Sequence, residues 1–265
     1  MDTRYWGPSG WRLLHVITVS PSTTGSTTFW EMLPFVLPCK FCRASLSEYY
    51  KEHPIPSDAS EFPKWLYKIH NCVNAKLRSQ GLCLETDPTF QEVKQHYTSY
   101  YEQGCTKLTF PGWEFLFSIA DNHPKATPSV PMPDTPEVHP KSLIERNRYN
   151  LLTIEERIQA LRKFWTSIPY VLPFSEWSDS WRHHAGPIRQ AITNRKAAKR
   201  WLWKIRCGLE SDLQQLGNTN FHGLCKTLAI HRSGCSKSKK AKTCRRLRGT
   251  RASSPTRKTL RNKQR

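Results

Sequence analysis

Trp65-Leu66-Tyr67-Lys68-Ile69-His70-Asn71-Cys72-Val73-Asn74-Ala75-Lys76-Leu77 sets the structural period of this chain. Trp65, Ile69, Val73 and Leu77 recur every four residues and form an apolar stripe along a helix. His70 and Asn74, also four apart, line the adjacent face, with Asn71 and Lys76 beside them. Asparagine is a poor helix former because its amide competes for backbone hydrogen bonds. Two asparagines inside an amphipathic helix leave two readings open: a solvated polar face, or an amide surface that binds a ligand.

Upstream, Leu37-Pro38-Cys39-Lys40-Phe41-Cys42 holds the one Cys-x-x-Cys pair among nine cysteines. Structural zinc needs four ligands, usually as two close pairs, and no second pair of suitable spacing follows. The preceding Phe29-Trp30-Glu31-Met32-Leu33-Pro34-Phe35-Val36-Leu37 reads as a helix ending near prolines. Pro38 then marks the boundary before a new helix, with Cys39 near its N-cap and Cys42 one turn in. Free N–H groups and the helix dipole stabilise a thiolate there. The expectation is an exposed Cys39 that exchanges with a partner thiol while Cys42 faces inward. A static disulfide or two core thiols is the plainer alternative.

Trp6-Gly7-Pro8-Ser9-Gly10-Trp11-Arg12-Leu13-Leu14-His15 reads as a loop followed by a helix with Trp11 and His15 on one face. Trp11, His15, His70, Asn74 and Cys42 could then converge on a planar aromatic ligand. No Gly-x-Gly-x-x-Gly or Walker loop occurs, so a nucleotide would have to sit against helices.

On these residues, together with His53-Pro54, the segment from residue 4 to about 105 resembles the Erv/ALR family of FAD-dependent sulfhydryl oxidases. The resemblance implies an all-α fold, a four- or five-helix bundle holding FAD beside the disulfide. It also implies that Gly7, Trp11, His15, His70, Asn71, Val73, Asn74, Lys76 and Leu77 contact FAD. Cys42 would be the flavin-proximal catalytic cysteine, and Cys39 the one exchanging with protein thiol substrates. Electrons would pass to molecular oxygen, giving hydrogen peroxide. Lys68 and Arg78-Ser79 depart from the family's pattern, which has a second histidine and Gly-Lys at those places.

The second half repeats the first. Phe164-Trp165-Thr166-Ser167-Ile168-Pro169-Tyr170-Val171-Leu172-Pro173 matches Phe29 through Pro38, and Trp201-Leu202-Trp203-Lys204-Ile205 matches Trp65 through Ile69. Pro111-Gly112-Trp113 echoes Ser9-Gly10-Trp11. The chemical positions do not persist. Phe117 stands for His15, Phe174 and Trp177 for Cys39 and Cys42, and Arg206, Cys207, Glu210 and Asp212 for His70, Asn71, Asn74 and Lys76. The expected organisation is therefore an Erv-type domain at 1–105 and a degenerate helical copy at 106–217. That arrangement resembles the paired active and degenerate domains of quiescin sulfhydryl oxidases. Residues 123–142, with six prolines, form a surface insertion. Thr153-x-x-Glu156 is a capping box that opens a helix after it.

Residues 218–265 read as a basic, disordered tail; its last 33 residues carry six Lys and seven Arg of the chain's net +20, with no acid. That charge suits nucleic acid or another anionic surface. Cys225, His231, Cys235 and Cys244 in this region leave two readings open, a metal site or a thiol shuttle to Cys39, and Cys105 before it is a further shuttle candidate. No apolar run reaches about 18 residues and no signal-peptide core is present, which argues against a membrane span or a secretory route. The whole most resembles thiol oxidases of large DNA viruses, implying host cytoplasm or virion, with the mitochondrial intermembrane space as the other setting. An intramolecular pseudo-dimer or a homodimer is expected. The rival reading is a basic nucleic-acid- or virion-binding protein whose Cys39/Cys42 pair is structural.

Overall fold

The computed structural model describes residues 1–21, 27–82, 85–215, 217 and 220–232. Every regular element among them is helical, as the 65–77 periodicity implies. The first half comprises α1 (Thr3–Val19), α2 (Thr27–Val36), α3 (Lys40–Glu52), α4 (Phe62–Ser79) and α5 (Phe90–Glu102). The second comprises α6 (Trp113–Asp121), α7 (Leu143–Arg148), α8 (Ile154–Ser167), α9 (Ser175–Ala185), α10 (Arg189–Thr193), α11 (Arg195–Asp212) and α12 (Phe221–Arg232).

α1 corrects the expected loop at Trp6–Gly10, because the helix runs through Gly7, Pro8 and Gly10. Asp2 caps it by accepting from the Arg4 N–H at 3.0 Å. Burial of Trp6, Ser9 and Gly10 then outweighs the poor propensity of glycine and proline. Gly10 is needed for close approach, since a Cβ there would stand 3.1 Å from the Phe115 ring.

The repeat seen in the sequence has a geometric counterpart. Cys39 and Phe174 are both N-caps, of α3 and α9, with nearly the same backbone (φ −122°, ψ 127° and φ −122°, ψ 139°). α1 packs on α6 and α2 on α8. The matched residues Phe29 and Phe164 stack on each other with centroids 5.4 Å apart. Contacts are also reciprocal: Gly10 meets Phe115, and a Cβ on Gly112 would collide with Leu13. This is the pattern of a two-fold interface, in which residue i meets j and the equivalent of j meets the equivalent of i. Ser9 seals the same contact, donating to Pro111 O at 2.8 Å and accepting from Phe115 N–H at 3.3 Å. A continuous apolar core results, and it includes Trp30, Trp165, Trp177 and Trp181.

Residues of the second half also grip α3. Asn147 Nδ2 donates to Pro34 O and to Ser47 Oγ, each at 2.9 Å. Arg148 pairs with Glu48 at 2.6 Å, and Lys51 pairs with Glu145. The 123–142 insertion has one short 3-10 turn, Pro124–Ala126, and no other helix, as its prolines require. The capping box at Thr153 and Glu156 opens α8 as expected.

α12 corrects the assignment of 218–265 as tail. Leu224 and Leu228 are buried, and Arg232 donates to both oxygens of the fully buried Asp121 at 2.7 Å. Lys199 joins Asp121 at 3.0 Å, so α6, α11 and α12 meet at one carboxylate. His231 stacks on Tyr5 of α1, with centroids 4.2 Å apart. The basic run after Arg232, with Cys235 and Cys244, lies outside the described residues, as does Cys83.

Candidate functional site

α3 begins where the sequence placed it, with Cys39 as N-cap and Cys42 in the first turn. Exposure runs opposite to expectation. Cys39 is only 5% exposed and belongs to the apolar core, whereas Cys42 is half-buried. The local sequence could not reveal this, because burial depends on packing beyond near neighbours. Lys40, the next residue, donates its Nζ to the carbonyls of Val130 at 3.2 Å and Pro131 at 3.3 Å.

Cys42 opens onto a cavity of about 830 Å³ between α1, α3, α4 and α5. Gly7, Trp11, His70, Val73, Asn74, Lys76 and Leu77 all line it. His15 stands behind His70, its Nε2 hydrogen-bonded to His70 Nδ1 at 3.1 Å. Asn71 is half-buried and does not contribute to the wall. Phe41, Ser45, Tyr49, His96 and Tyr97 line the cavity too and were missed. The adjacent aromatic residues His96-Tyr97 on α5 were the available signal for two of them.

The rings are ordered by stacking. Trp11 and His70 lie 3.9 Å apart at 12°, and His15 lies 4.6 Å from Tyr97 at 11°. Burial pushes the His15 imidazole down to about 3, with His70 and His96 adding repulsion. Burial likewise pushes His70 down to about 4, partly offset by the attraction of Asp87. Both rings are therefore neutral near pH 7, so their shared hydrogen bond carries one N–H and one lone pair. Asn74 donates Nδ2 to Asp87 at 2.8 Å, and Arg78 grips the same carboxylate through two bonds of 2.9 and 2.6 Å. Lys76 Nζ is bonded to Ser45 Oγ on α3.

These residues suit the FAD expected from the family resemblance. The volume falls within the roughly 300–1,000 Å³ of ligand pockets, and the walls are mainly apolar and aromatic. Lys76, Arg4 and Arg12 bring positive charge suited to a pyrophosphate. Trp6, also on the wall, has a buried indole N–H with no partner in the protein, a donor for a ligand acceptor.

The matching region of the second half is packed solid with aromatic rings. Trp177, where Cys42 would stand, is fully buried and lies 5.0 Å from Phe110. Trp113 and Trp181 stack at 6.3 Å. Arg206, the counterpart of His70, lies over Trp113 at 5.8 Å and bonds Glu210 at 2.6 Å.

Fold and site define a class: an all-helical module in which one cysteine of a close pair faces a ligand cavity. A profile of the Erv1/Alr family matches residues 8–98, which contain this cavity. An FAD-linked sulfhydryl oxidase of African swine fever virus (isolate Tick/Malawi/Lil 20-1/1983) is 32% identical over 29% of this chain and 71% of its own length. The enzyme of that name from isolate Pig/Kenya/KEN-50/1950 is 31% identical over 39% of this chain and 85% of its own. The mitochondrial FAD-linked sulfhydryl oxidase ERV1 of Saccharomyces cerevisiae is 32% identical over 29% of this chain and 45% of its own. No solved structure matches significantly. The chain belongs to the Erv1/Alr family.

Proposed function

We propose that this chain is an FAD-dependent sulfhydryl oxidase that forms disulfides in protein thiols and passes the electrons to oxygen. The observation that carries the reading is Cys42 on the wall of a cavity it shares with Trp11, His70, Asn74, Lys76 and Leu77. In this reading Trp11 and His70 present ring faces to the cofactor, Val73 and Leu77 pack against it, and Lys76 meets its phosphates. His15 orients His70 from behind. When bound, FAD supplies a two-electron acceptor beside Cys42 that oxygen reoxidises, with hydrogen peroxide as product.

The protein's own steps are thiol–disulfide exchange. A substrate thiolate attacks Cys39 Sγ, forming a mixed disulfide and expelling Cys42 as a thiolate. A second substrate thiolate attacks the substrate sulfur, releasing Cys39 and leaving the product disulfide. Two thiols thus lose two protons and two electrons, and the Cys39/Cys42 pair gains the electrons. Because Cys39 is 5% exposed, an incoming thiol reaches it only after the groups above it shift.

Residues 1–105 carry this chemistry, and 106–217 act as a degenerate copy forming an intramolecular pseudo-dimer with them. Support for this comes from the reciprocal glycine contacts and the aromatic filling of the second site. The basic run in 233–265 suits an anionic partner such as nucleic acid. Among the described residues no helix is long and apolar enough to cross a membrane.

The purified full chain is expected to be yellow, with a flavin absorption band, and to take up oxygen when given dithiothreitol. A colourless chain that consumes no oxygen and binds DNA would instead favour a binding protein with a structural cysteine pair.

A further inference from the structure

Arg43 follows Cys42 directly, and its backbone N–H donates to Cys39 O at 3.0 Å. It is only 4% exposed. Its guanidinium donates from Nη1 to Leu37 O at 2.9 Å and from Nη2 to Asn150 Oδ1 at 2.6 Å. No carboxylate among the described residues forms an ion pair with it. Arg157 on α8 is in the same situation. It too is 4% exposed, donates Nη1 to Thr127 O at 3.0 Å and leaves its Nε without a partner. Breaking or omitting one partner of a buried ion pair costs about 3–5 kcal/mol, so two buried cations without acids need an explanation.

The Leu37 carbonyl that Arg43 grips lies two residues before Cys39, so the guanidinium sits at the turn that leads into the cysteine pair. Burial pushes the Arg43 pKa down, and negative charge on Cys39 and Cys42 pushes it back up. Arg157 is pushed down to about 10, by burial first and then by repulsion from Arg43. Arg43 is not on the wall of the ligand cavity. Lys40, between the two cysteines in sequence, is bonded to the 130–131 carbonyls, and Lys76 is bonded to Ser45. Of the acids on α3, Glu48 is held by Arg148, and Glu52 lies at the far end of the helix.

The hold on Arg43 comes from the second half. Asn150 is 5% exposed, and its φ of +57° is the left-handed conformation that closes α7, with Leu151 N–H donating to Arg146 O at 2.8 Å. It donates Nδ2 to Val130 O at 2.7 Å, and its carbonyl accepts from Ser129 Oγ at 2.7 Å. Both amide atoms of its side chain are thus committed, one to Arg43 and the other to the proline-rich insertion.

We propose that Arg43, held in place by Asn150, is a positioning residue that supplies the counter-charge for the thiolates formed when the Cys39–Cys42 bond is reduced. A stabilised Cys42 thiolate is the better leaving group when substrate attacks Cys39. A stabilised reduced pair is also the stronger oxidant of substrate thiols. This role rests on Cys39/Cys42 being the redox pair proposed above. It gives the second half a part in the chemistry, because Asn150, which fixes the guanidinium, follows α7 in the second half.

The test changes the charge balance with little change of shape. Asn150→Asp keeps the side chain's size and gives Arg43 a carboxylate of its own. Full-length protein, reduced and freed of reductant, is pulsed with iodoacetamide across a pH series, and each cysteine is followed by peptide mass spectrometry. The pH midpoints of Cys39 and Cys42 alkylation are expected to rise by about one unit, a roughly tenfold loss of thiolate at pH 7. Those of Cys105 and Cys207 stay where they are. In a glutathione titration the potential of the pair should fall by about 30 mV, the equivalent of that tenfold change. A purely structural arginine predicts the opposite pattern, in which the new ion pair tightens the fold and leaves the midpoints and potential unchanged. That result overturns the proposal. Should Asn150→Asp fail to fold, Arg43→Met is read by the same criterion, with Arg43→Lys restoring the wild-type midpoints. Failure of the oxidase reading is distinguishable, since it shows in the wild type as no flavin and no dithiol-dependent oxygen uptake.

Discussion

Replacing Cys42 by serine is expected to lower dithiol-dependent oxygen uptake by about a thousandfold or more, the scale seen when a nucleophile is removed from a residue set that acts as a unit. Serine cannot close a disulfide with Cys39, so the substrate's electron pair has no sulfur facing the cavity on which to arrive. Cys42 is one residue among many on the wall of an 830 Å³ cavity, so the substitution leaves the stacking walls and Lys76 intact. The variant should therefore stay yellow with a normal flavin content. Cys39→Ser blocks substrate exchange and should lose activity with protein substrates to a similar degree. Cys42→Ser retaining more than about a tenth of wild-type turnover would sink the assignment of the pair as the redox centre.

Phe164→Ala is expected to cost about 3–5 kcal/mol, the range for deleting a buried aromatic ring. Phe164 is fully buried and stacks on its counterpart Phe29 at 5.4 Å, where α2 and α8 meet. The ring therefore belongs to the core of both halves, and the loss should appear in a single cooperative urea transition. Tyr170→Ala, at a residue 60% exposed, should fall within about 0.5 kcal/mol of wild type. Two separate transitions, with only the second shifted by Phe164→Ala, would show that the halves fold independently.

Local pattern carried much of this structure. The four-residue spacing of Trp65, Ile69, Val73 and Leu77 reads directly as α4, because a helical period depends only on near neighbours. Pro38 likewise marked the start of α3, and the internal repeat anticipated that Phe174 would occupy the N-cap held by Cys39 in the first half. What the sequence hid was long-range. Helix α1 continues through Gly7 and Pro8 because Trp6 and Gly10 are buried against distant residues, a gain no local propensity contains. α12 forms inside a segment read as tail because Leu224, Leu228 and Arg232 find partners on other helices. The capture of Lys40 by Val130 and of Arg43 by Asn150 joins residues 90 and 107 positions apart. At the site, the stripe on α4 was legible, but the adjacent aromatics His96-Tyr97 did not by themselves show that α5 packs against α1 and carries Tyr97 to the cavity.

The account's central claim is that one half of the chain holds a cofactor beside Cys42 and the other supports it with a filled, inert copy of the same fold. The direct measurement is the amount of FAD released on denaturing a known quantity of purified full-length protein. One FAD per chain is the expected result. Two per chain would contradict the filling of the second site by Trp113, Trp177 and Trp181, and none would contradict the reading of the cavity beside Cys42.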